Sequence, residues 1–135
     1  LVTPNIPEAE VLIGSPISNK KDMIEAAKII LNMGSKNVLL KGGHLKSKMI
    51  CDILATKKGI KVFSKRKIKT KNTHGTGCTL SSALVTCLSQ KKNIVKSCKI
   101  SLRYVDKAIA SAPGYGKGFG PLNHLVSFNL RNINV

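Results

Sequence analysis

Helix-like and strand-like segments alternate along this chain, and the alternation limits the possible folds more than any other feature. Lys20 to Met33 carries apolar residues at helical spacing and is followed by Gly34, which favours a helix end there. The short apolar run from Asn37 to Lys41 then enters Gly42-Gly43, as a buried parallel strand does at the carboxyl edge of a sheet. This pattern predicts an α/β fold with a mostly parallel sheet.

Local start and stop signals predict the other elements. Asn5, with Pro7 and Glu8 after it, has the features of a helix start, and the helix is expected to end near Ile13. The segment from Met49 to Ile68, with a turn at Lys58-Gly59, predicts one or two edge strands. Two long core-facing helices are predicted by the apolar stripes Leu80, Ala83, Leu84, Cys87, Leu88 and Val95, Cys98, Leu102, Val105, Ile109, Ala112.

The strongly basic composition raises the question of a nucleic-acid partner. The formal net charge is +17, and a basic domain of this kind is often an electrostatic footprint for nucleic acid. However, only three of the 23 basic residues are Arg and only 4% of residues are aromatic, whereas specific recognition depends on Arg forks and aromatic stacking. Abundant Lys, Ile and Asn are what AT-rich codons supply. We therefore expect no nucleic-acid partner.

Composition also bears on compartment and completeness. No apolar run approaches the ~18 residues that span a bilayer, which predicts no membrane partner. The four cysteines form no C-x-x-C pair, so reduced thiols in the cytoplasm are the expected state. The chain opens on the apolar, strand-like Leu1-Val2 without a lead-in, and we expect it to continue a larger fold.

The glycine-rich stretch from Asn72 to Thr79 is the motif most closely tied to chemistry. It lies between an edge segment and a helix expected to begin near Cys78, and its glycines allow several backbone N–H groups to converge on an anion. The positive end of the helix dipole would also favour a thiolate there, so Cys78 could accept a proton. The alternative interpretation is a glycine-rich helix cap with an inert cysteine.

Residues 70–84 closely resemble the signature of bacterial hydroxymethylpyrimidine and phosphomethylpyrimidine kinases, which belong to the ribokinase-like superfamily. Further elements resemble the family in the same order: Val2–Asn5 with Glu8, Leu40–Leu45 and Gly116–His124. The resemblance implies the carboxy-terminal half of a ribokinase-like three-layer sandwich, with residues 1–135 as a partial kinase domain. It also implies ATP-dependent phosphorylation of 4-amino-5-hydroxymethyl-2-methylpyrimidine, and then of its monophosphate, in thiamine diphosphate biosynthesis.

The resemblance assigns roles within the glycine-rich stretch. Cys78 takes the position of the catalytic base, where many members of the superfamily have Asp. Gly75, Thr76 and Gly77 form the anion hole, in agreement with the interpretation from the residues alone.

The resemblance also assigns residues outside that stretch. Asn5 and Glu8 match an Asn-x-x-Glu element that helps to hold Mg²⁺ and phosphate, usually through water, although the same pair can serve only as a helix cap. Lys41 and Thr70 are expected to contact ATP. The family's amino-terminal half supplies most of the pyrimidine pocket and is an expected partner, so these residues alone are expected to be inactive. The complete protein is expected to be a homodimer.

Four other functions remain open at this point. A pyridoxal kinase would use the same phosphate machinery on another acceptor. A thiol hydrolase would use Cys78 as a nucleophile with His74 or His124 as its base. A lysine-rich RNA-binding module and an inactive kinase remnant are the remaining alternatives. His44, His74 and His124 have no metal-ligand spacing, and structural hydrogen bonding is their expected use.

Overall fold

The computed structural model describes residues 1–45 and 47–126, which divide into two compact units. The first unit is Leu1–Lys67, and the second runs from Ile68 to the end of the chain. The elements in chain order are α1 (Ile6–Ile13), α2 (Lys20–Asn32), β1 (Asn37–Leu40), β2 (Met49–Thr56), β3 (Gly59–Arg66), α3 (Thr76–Ser89) and α4 (Ile94–Ala110). Across these described residues, no helix combines the length and hydropathy required to cross a bilayer.

The two helices of the first unit form where the sequence predicts them. Asn5 caps α1 in a reciprocal capping box with Glu8, and Asn19 caps α2 by accepting from the amides of Lys21 and Asp22. Because each cap satisfies amides that have no partner inside the helix, these starts can be predicted from local sequence. The second helix ends at Asn32, one residue before the predicted end.

The sheet differs from the prediction of mostly parallel strands. Its three strands have the order β1-β2-β3, and both pairs are antiparallel. The reason is the length of the connections: β2 and β3 are joined by a tight turn, and only eight residues (41–48) connect β1 to β2. A parallel crossover needs a dozen or more residues. Among the described residues of the first unit, parallel pairing occurs as single bridges of Val2 with Val38 and of Asn5 with Lys41.

The second strand was expected at a sheet edge, and this expectation is wrong. β2 lies between β1 and β3, and its residues Asp52 to Ala55 are buried. Helix α2 packs on β1 and β2, and its side of the core consists of the predicted Met23, Ala27 and Ile30 together with Ala26. The position of β2 brings the loop after β1 next to a central strand.

Helices α3 and α4 pack against each other in the second unit. The predicted stripes are largely buried, with Leu80, Leu84 and Cys87 on α3 facing the core and Cys98, Leu102 and Val105 doing so on α4. The prediction that Val95 faces the core is wrong, because this residue, in the first turn of α4, is 37% exposed. Residues 113–124 are irregular, as expected, but several hydrogen bonds tie this segment to the helices.

Candidate active site

The glycine-rich turn leads directly into α3, which begins two residues before the predicted start. Gly75 is the N-cap with a φ of +82°, in the left-handed region, where a Cβ costs roughly 1–2 kcal/mol. Thr76 is the first helical residue, and Cys78 therefore lies within the first turn. No side chain caps this helix, so its first amides keep their capacity to bind another group.

The unpaired amides of this turn are its main chemical feature. The first helical hydrogen bond runs from the Thr79 N–H to the Gly75 carbonyl at 2.9 Å. Within residues 68–126, the N–H groups of Gly75, Gly77 and Cys78 donate to no protein acceptor. These amides lie at the positive end of the helix dipole, which favours negative charge. The turn can therefore bind an anion such as a phosphoryl group.

The two threonines among the predicted site residues make local hydrogen bonds. The Thr76 hydroxyl donates to the Thr73 carbonyl, and the Thr76 N–H lies 3.4 Å from the same oxygen. Thr70 Oγ1 accepts from the Asn72 N–H at 3.1 Å. Thr76 thus shapes the turn through its side chain, and Thr70 shapes the segment that leads into it.

Cys78 is the exposed cysteine of the second unit, whereas Cys87 and Cys98 are buried. Its side chain borders an open groove of about 510 Å³ that runs along α3. The groove is lined by Cys78, Thr79, Ser82, Ala83, Thr86, Cys87, Gln90, Ile100, Tyr104 and His124. A thiol in this position is accessible to a substrate and lies next to unpaired amides.

The thiol hydrolase alternative requires a histidine on the Cys78 thiol. His124 instead has its Nε2 atom 2.9 Å from Thr79 Oγ1, and the backbone of His74 forms a bridge with Pro121. In the part of the second unit that the structure describes, neither imidazole is hydrogen-bonded to Cys78. Because a nucleophile and its base must lie within hydrogen-bond reach, this arrangement does not favour a hydrolase.

Asn5, Glu8 and Lys41 come together in the first unit. Asn5 and Lys41 form a parallel bridge, and the Lys41 N–H donates to the Pro4 carbonyl at 2.9 Å. Lys41 directly follows the carboxyl end of β1, the position where ligand-binding loops occur in open α/β sheets. The structure therefore forms two groups of predicted site residues: these three in the first unit, and Thr70 and Gly75 to Cys78 in the second.

The oxygen atoms of Asn5 and Glu8 are compatible with a water-mediated Mg²⁺ site. Glu8 Oε2 accepts from the Asn5 N–H at 2.7 Å, and Asn5 Oδ1 accepts from the Glu8 N–H at 2.9 Å. The second carboxylate oxygen of the exposed Glu8 is left for a water or an ion. Residues 1–45 and 47–126 contain no group of three His, Cys, Asp or Glu side chains able to hold a metal. Mg²⁺ needs no such group, because it keeps several waters and binds through one or two carboxylates.

Sequence reasoning missed a tight contact behind the Gly42-Gly43 loop. The buried Asp52 of β2 accepts from the Gly42 N–H at 2.9 Å. A Cβ on Gly42 would lie 2.1 Å from the Cys51 carbonyl oxygen, far inside van der Waals contact. The paired glycines suggested a turn, but only the pairing of β2 with β1 places a backbone carbonyl against Gly42.

Comparison with known proteins places the chain in a family. The family model for phosphomethylpyrimidine kinase matches residues 1–123. The chain belongs to the phosphomethylpyrimidine kinase family.

Individual relatives share this likeness over nearly the whole chain. A thiamine biosynthesis bifunctional protein of Geobacter sulfurreducens is 46% identical over 127 residues, which are 94% of this chain and 26% of that protein. A hydroxymethylpyrimidine/phosphomethylpyrimidine kinase of Staphylococcus aureus strain MRSA252 is 38% identical over 126 residues, 92% of this chain and 46% of the relative. The ADP complex of Bacillus subtilis pyridoxal kinase superposes with a TM-score of 0.85 at 32% identity, over 91% of this chain and 49% of that structure.

These comparisons support the fold class at the level of a ribokinase-like α/β protein. The chain spans about a quarter of the Geobacter protein and about half of the other two. The similar region includes the glycine-rich turn and α3, since the family match extends to residue 123.

Proposed function

We propose that this chain is the carboxy-terminal, phosphoryl-transferring part of a hydroxymethylpyrimidine and phosphomethylpyrimidine kinase. The observation that carries the proposal is the turn at Gly75 to Cys78, which combines unpaired amides with an exposed thiol inside a region matched by the family. The complete protein would transfer the γ-phosphoryl group of ATP to 4-amino-5-hydroxymethyl-2-methylpyrimidine and then to its monophosphate. These reactions contribute the pyrimidine part of thiamine diphosphate.

The proposed chemistry uses Cys78 as a general base. The hydroxyl oxygen of the acceptor attacks the γ-phosphorus, its proton passes to the Cys78 thiolate, and the bond to the bridging oxygen breaks to release ADP. Anion-hole groups at Gly75, Thr76 and Gly77 stabilise the charge on the transferred group, and the amide of Cys78 adds to them. Positioning and charge stabilisation account for most of the rate in phosphoryl transfer.

The remaining assigned residues bind ATP and its metal ion. Lys41 and Thr70 contact the nucleotide, and Asn5 and Glu8 hold Mg²⁺ through water. When bound, Mg²⁺ neutralises phosphate charge. Asn5 also keeps its role as a helix cap, because its Oδ1 atom and the Glu8 amide already form a hydrogen bond.

The complete enzyme is proposed to contain an amino-terminal half that supplies most of the pyrimidine pocket. Its fold would be the three-layer sandwich of ribokinase-like enzymes, with a mostly parallel sheet, and residues 1–135 would form part of one kinase domain. We also propose that the complete protein is a homodimer.

Pyridoxal is the second candidate acceptor. The observation in its favour is the likeness to the Bacillus subtilis pyridoxal kinase over 91% of this chain. Both acceptors carry a hydroxymethyl group on a flat nitrogen heterocycle, so the same base and anion hole could serve either. Under this proposal, the pocket that discriminates between the two acceptors belongs to the other half of the protein.

The full-length protein should consume Mg-ATP in the presence of hydroxymethylpyrimidine and again with its monophosphate. The measurement is ADP formation in separate assays with hydroxymethylpyrimidine, its monophosphate and pyridoxal, with kcat/KM compared among the three. A preference for pyridoxal would assign the second function. No ADP formation with any of the three acceptors would reject the kinase proposal.

The capping and metal-binding roles of Asn5 can be separated by comparison with Asn19. Each side chain caps a helix of the first unit, so Asn5→Ala and Asn19→Ala should each lower the free energy of unfolding by about 1 kcal/mol. Only Asn5→Ala should also raise the Mg²⁺ concentration required for half-maximal activity. Thermal unfolding and Mg²⁺ titration of ATP turnover are the two measurements. Equal Mg²⁺ dependence in both variants would leave Asn5 with a capping role alone.

A further inference from the structure

The segment from Gly120 to His124 contacts both sides of the glycine-rich turn. The His74 N–H, before the turn, donates to the Gly120 carbonyl at 3.3 Å. After the turn, Thr79 Oγ1 lies 2.9 Å from His124 Nε2. The residues joined by the second contact are 45 positions apart in sequence. The turn is therefore held by a distant part of the chain as well as by its own glycines.

The direction of the Thr79–His124 hydrogen bond follows from the partners of Thr79. Its hydroxyl lies 2.8 Å from the Gly75 carbonyl, and a carbonyl can only accept. A hydroxyl has one proton, so Thr79 donates that proton to Gly75 and must accept from His124. Nε2 of His124 therefore carries a hydrogen. This hydrogen is present in the neutral Nε2–H tautomer and in the charged imidazolium alike.

His124 is itself held in place by neighbouring contacts. The Tyr104 hydroxyl donates to the His124 carbonyl at 2.9 Å, and the Asn123 N–H donates to the Ala108 carbonyl at 3.0 Å. Leu122 is buried, with only 4% of its surface exposed. The imidazole thus extends from a backbone that is fixed on α4, which gives it a defined position relative to Thr79.

We infer that His124 is a positioning residue for phosphoryl transfer. Its Nε2–H orients the Thr79 hydroxyl, which holds the Gly75 carbonyl and so maintains the left-handed N-cap that leaves the Gly77 and Cys78 amides unpaired. This role rests on the proposed function. His124 has no part in the bond-making step and acts through Thr79.

The test uses the full-length protein and four substitutions. His124→Ala and Thr79→Val each break the hydrogen-bonded relay from His124 through the Thr79 hydroxyl to the Gly75 carbonyl. Each should lower kcat with hydroxymethylpyrimidine by about 10- to 100-fold, since small misplacements of a catalytic group have effects of that size. The double variant should be no worse than the poorer single variant, because both lose the same relay. His124→Gln restores an N–H donor and should recover most of kcat. Asn123→Ala, which removes the acceptor for the Leu125 N–H in the same segment, should leave kcat unchanged.

Four results would overturn the inference. An active wild-type protein with full kcat in His124→Ala would remove the positioning role while leaving the proposed function intact. If kcat falls in all variants, including Asn123→Ala, in proportion to their loss of thermal stability, His124 would only support the fold. A ¹⁵N spectrum of the neutral imidazole that reports the Nδ1–H tautomer would contradict the direction of the hydrogen bond. A wild-type protein that forms no ADP with any acceptor would reject the proposed function and this inference together.

Discussion

Replacing Cys78 by Ala in the full-length protein is expected to lower kcat with hydroxymethylpyrimidine by about 10²- to 10⁴-fold, the usual contribution of a general base. The thiol is exposed in the first turn of α3, so its removal leaves no buried cavity. The fold and the affinity for ADP should remain close to those of the wild type. Steady-state kinetics and calorimetric titration with ADP measure the two effects separately.

The two phosphoryl transfers should respond differently to this change. The hydroxymethyl acceptor must lose a proton, whereas the monophosphate presents an oxygen that is already largely ionised at neutral pH. Loss of the base should therefore slow the first transfer much more than the second. Equal losses in both reactions would indicate that Cys78 acts through binding or positioning instead of proton transfer.

Matched substitutions make the assignment of Cys78 specific. Cys78→Asp restores a proton acceptor and should recover part of the activity, while Cys78→Asn has nearly the same shape and should not. Cys51→Ala removes a partly buried thiol on β2 and should leave kcat unchanged. Full activity in Cys78→Ala would reject the role of base.

Gly42→Ala is expected to produce the largest loss of stability. The added Cβ would lie 2.1 Å from the Cys51 carbonyl oxygen and 3.1 Å from the Met23 side chain. The carbonyl belongs to the central strand, so relief requires a shift of backbone. We expect the free energy of unfolding to fall by about 3 kcal/mol, the upper part of the range for overpacked interiors. Urea and thermal unfolding of the full-length protein measure the change.

The neighbouring glycine provides the control for this prediction. A Cβ on Gly43 meets no atom within 4 Å, so Gly43→Ala should change stability by no more than about 0.5 kcal/mol, as for other surface substitutions. The two variants make the same chemical change at adjacent positions. Equal stability of Gly42→Ala and Gly43→Ala would show that β2 does not approach the loop as closely as described.

Helix positions could be predicted from sequence because their signals are local. Asn5 and Glu8 are three residues apart, and their capping box is a local motif that the sequence spacing alone predicts. The apolar stripe of α2 requires only helical spacing within one segment. The sequence predicts the glycine turn but a helix start near Cys78, whereas α3 begins at Thr76. The difference arises because sequence does not reveal that Gly75 takes the left-handed conformation.

Strand pairing depends on the tertiary structure, and for this reason the three described strands, which pair antiparallel, do not confirm the prediction of a mostly parallel sheet. The pattern of apolar residues in a single strand is compatible with parallel or antiparallel pairing. The antiparallel pairing follows from the short connections that join β1, β2 and β3 in one sheet. The same pairing brings Asp52 to the Gly42 amide, a contact that neither residue's neighbours in sequence indicate.

The sequence by itself determined the helices, the glycine-rich turn and, through its resemblance, the kinase family. The helices and the turn depend on residues within a few positions of one another, whose steric and hydrogen-bonding preferences are local, whereas the resemblance rests on several such motifs along the chain. Only the tertiary structure decided the strand order and the hydrogen bond between Thr79 and His124, 45 residues apart. Such contacts form when packing overcomes the entropy of closing a long loop, and that balance involves the whole core instead of any short segment.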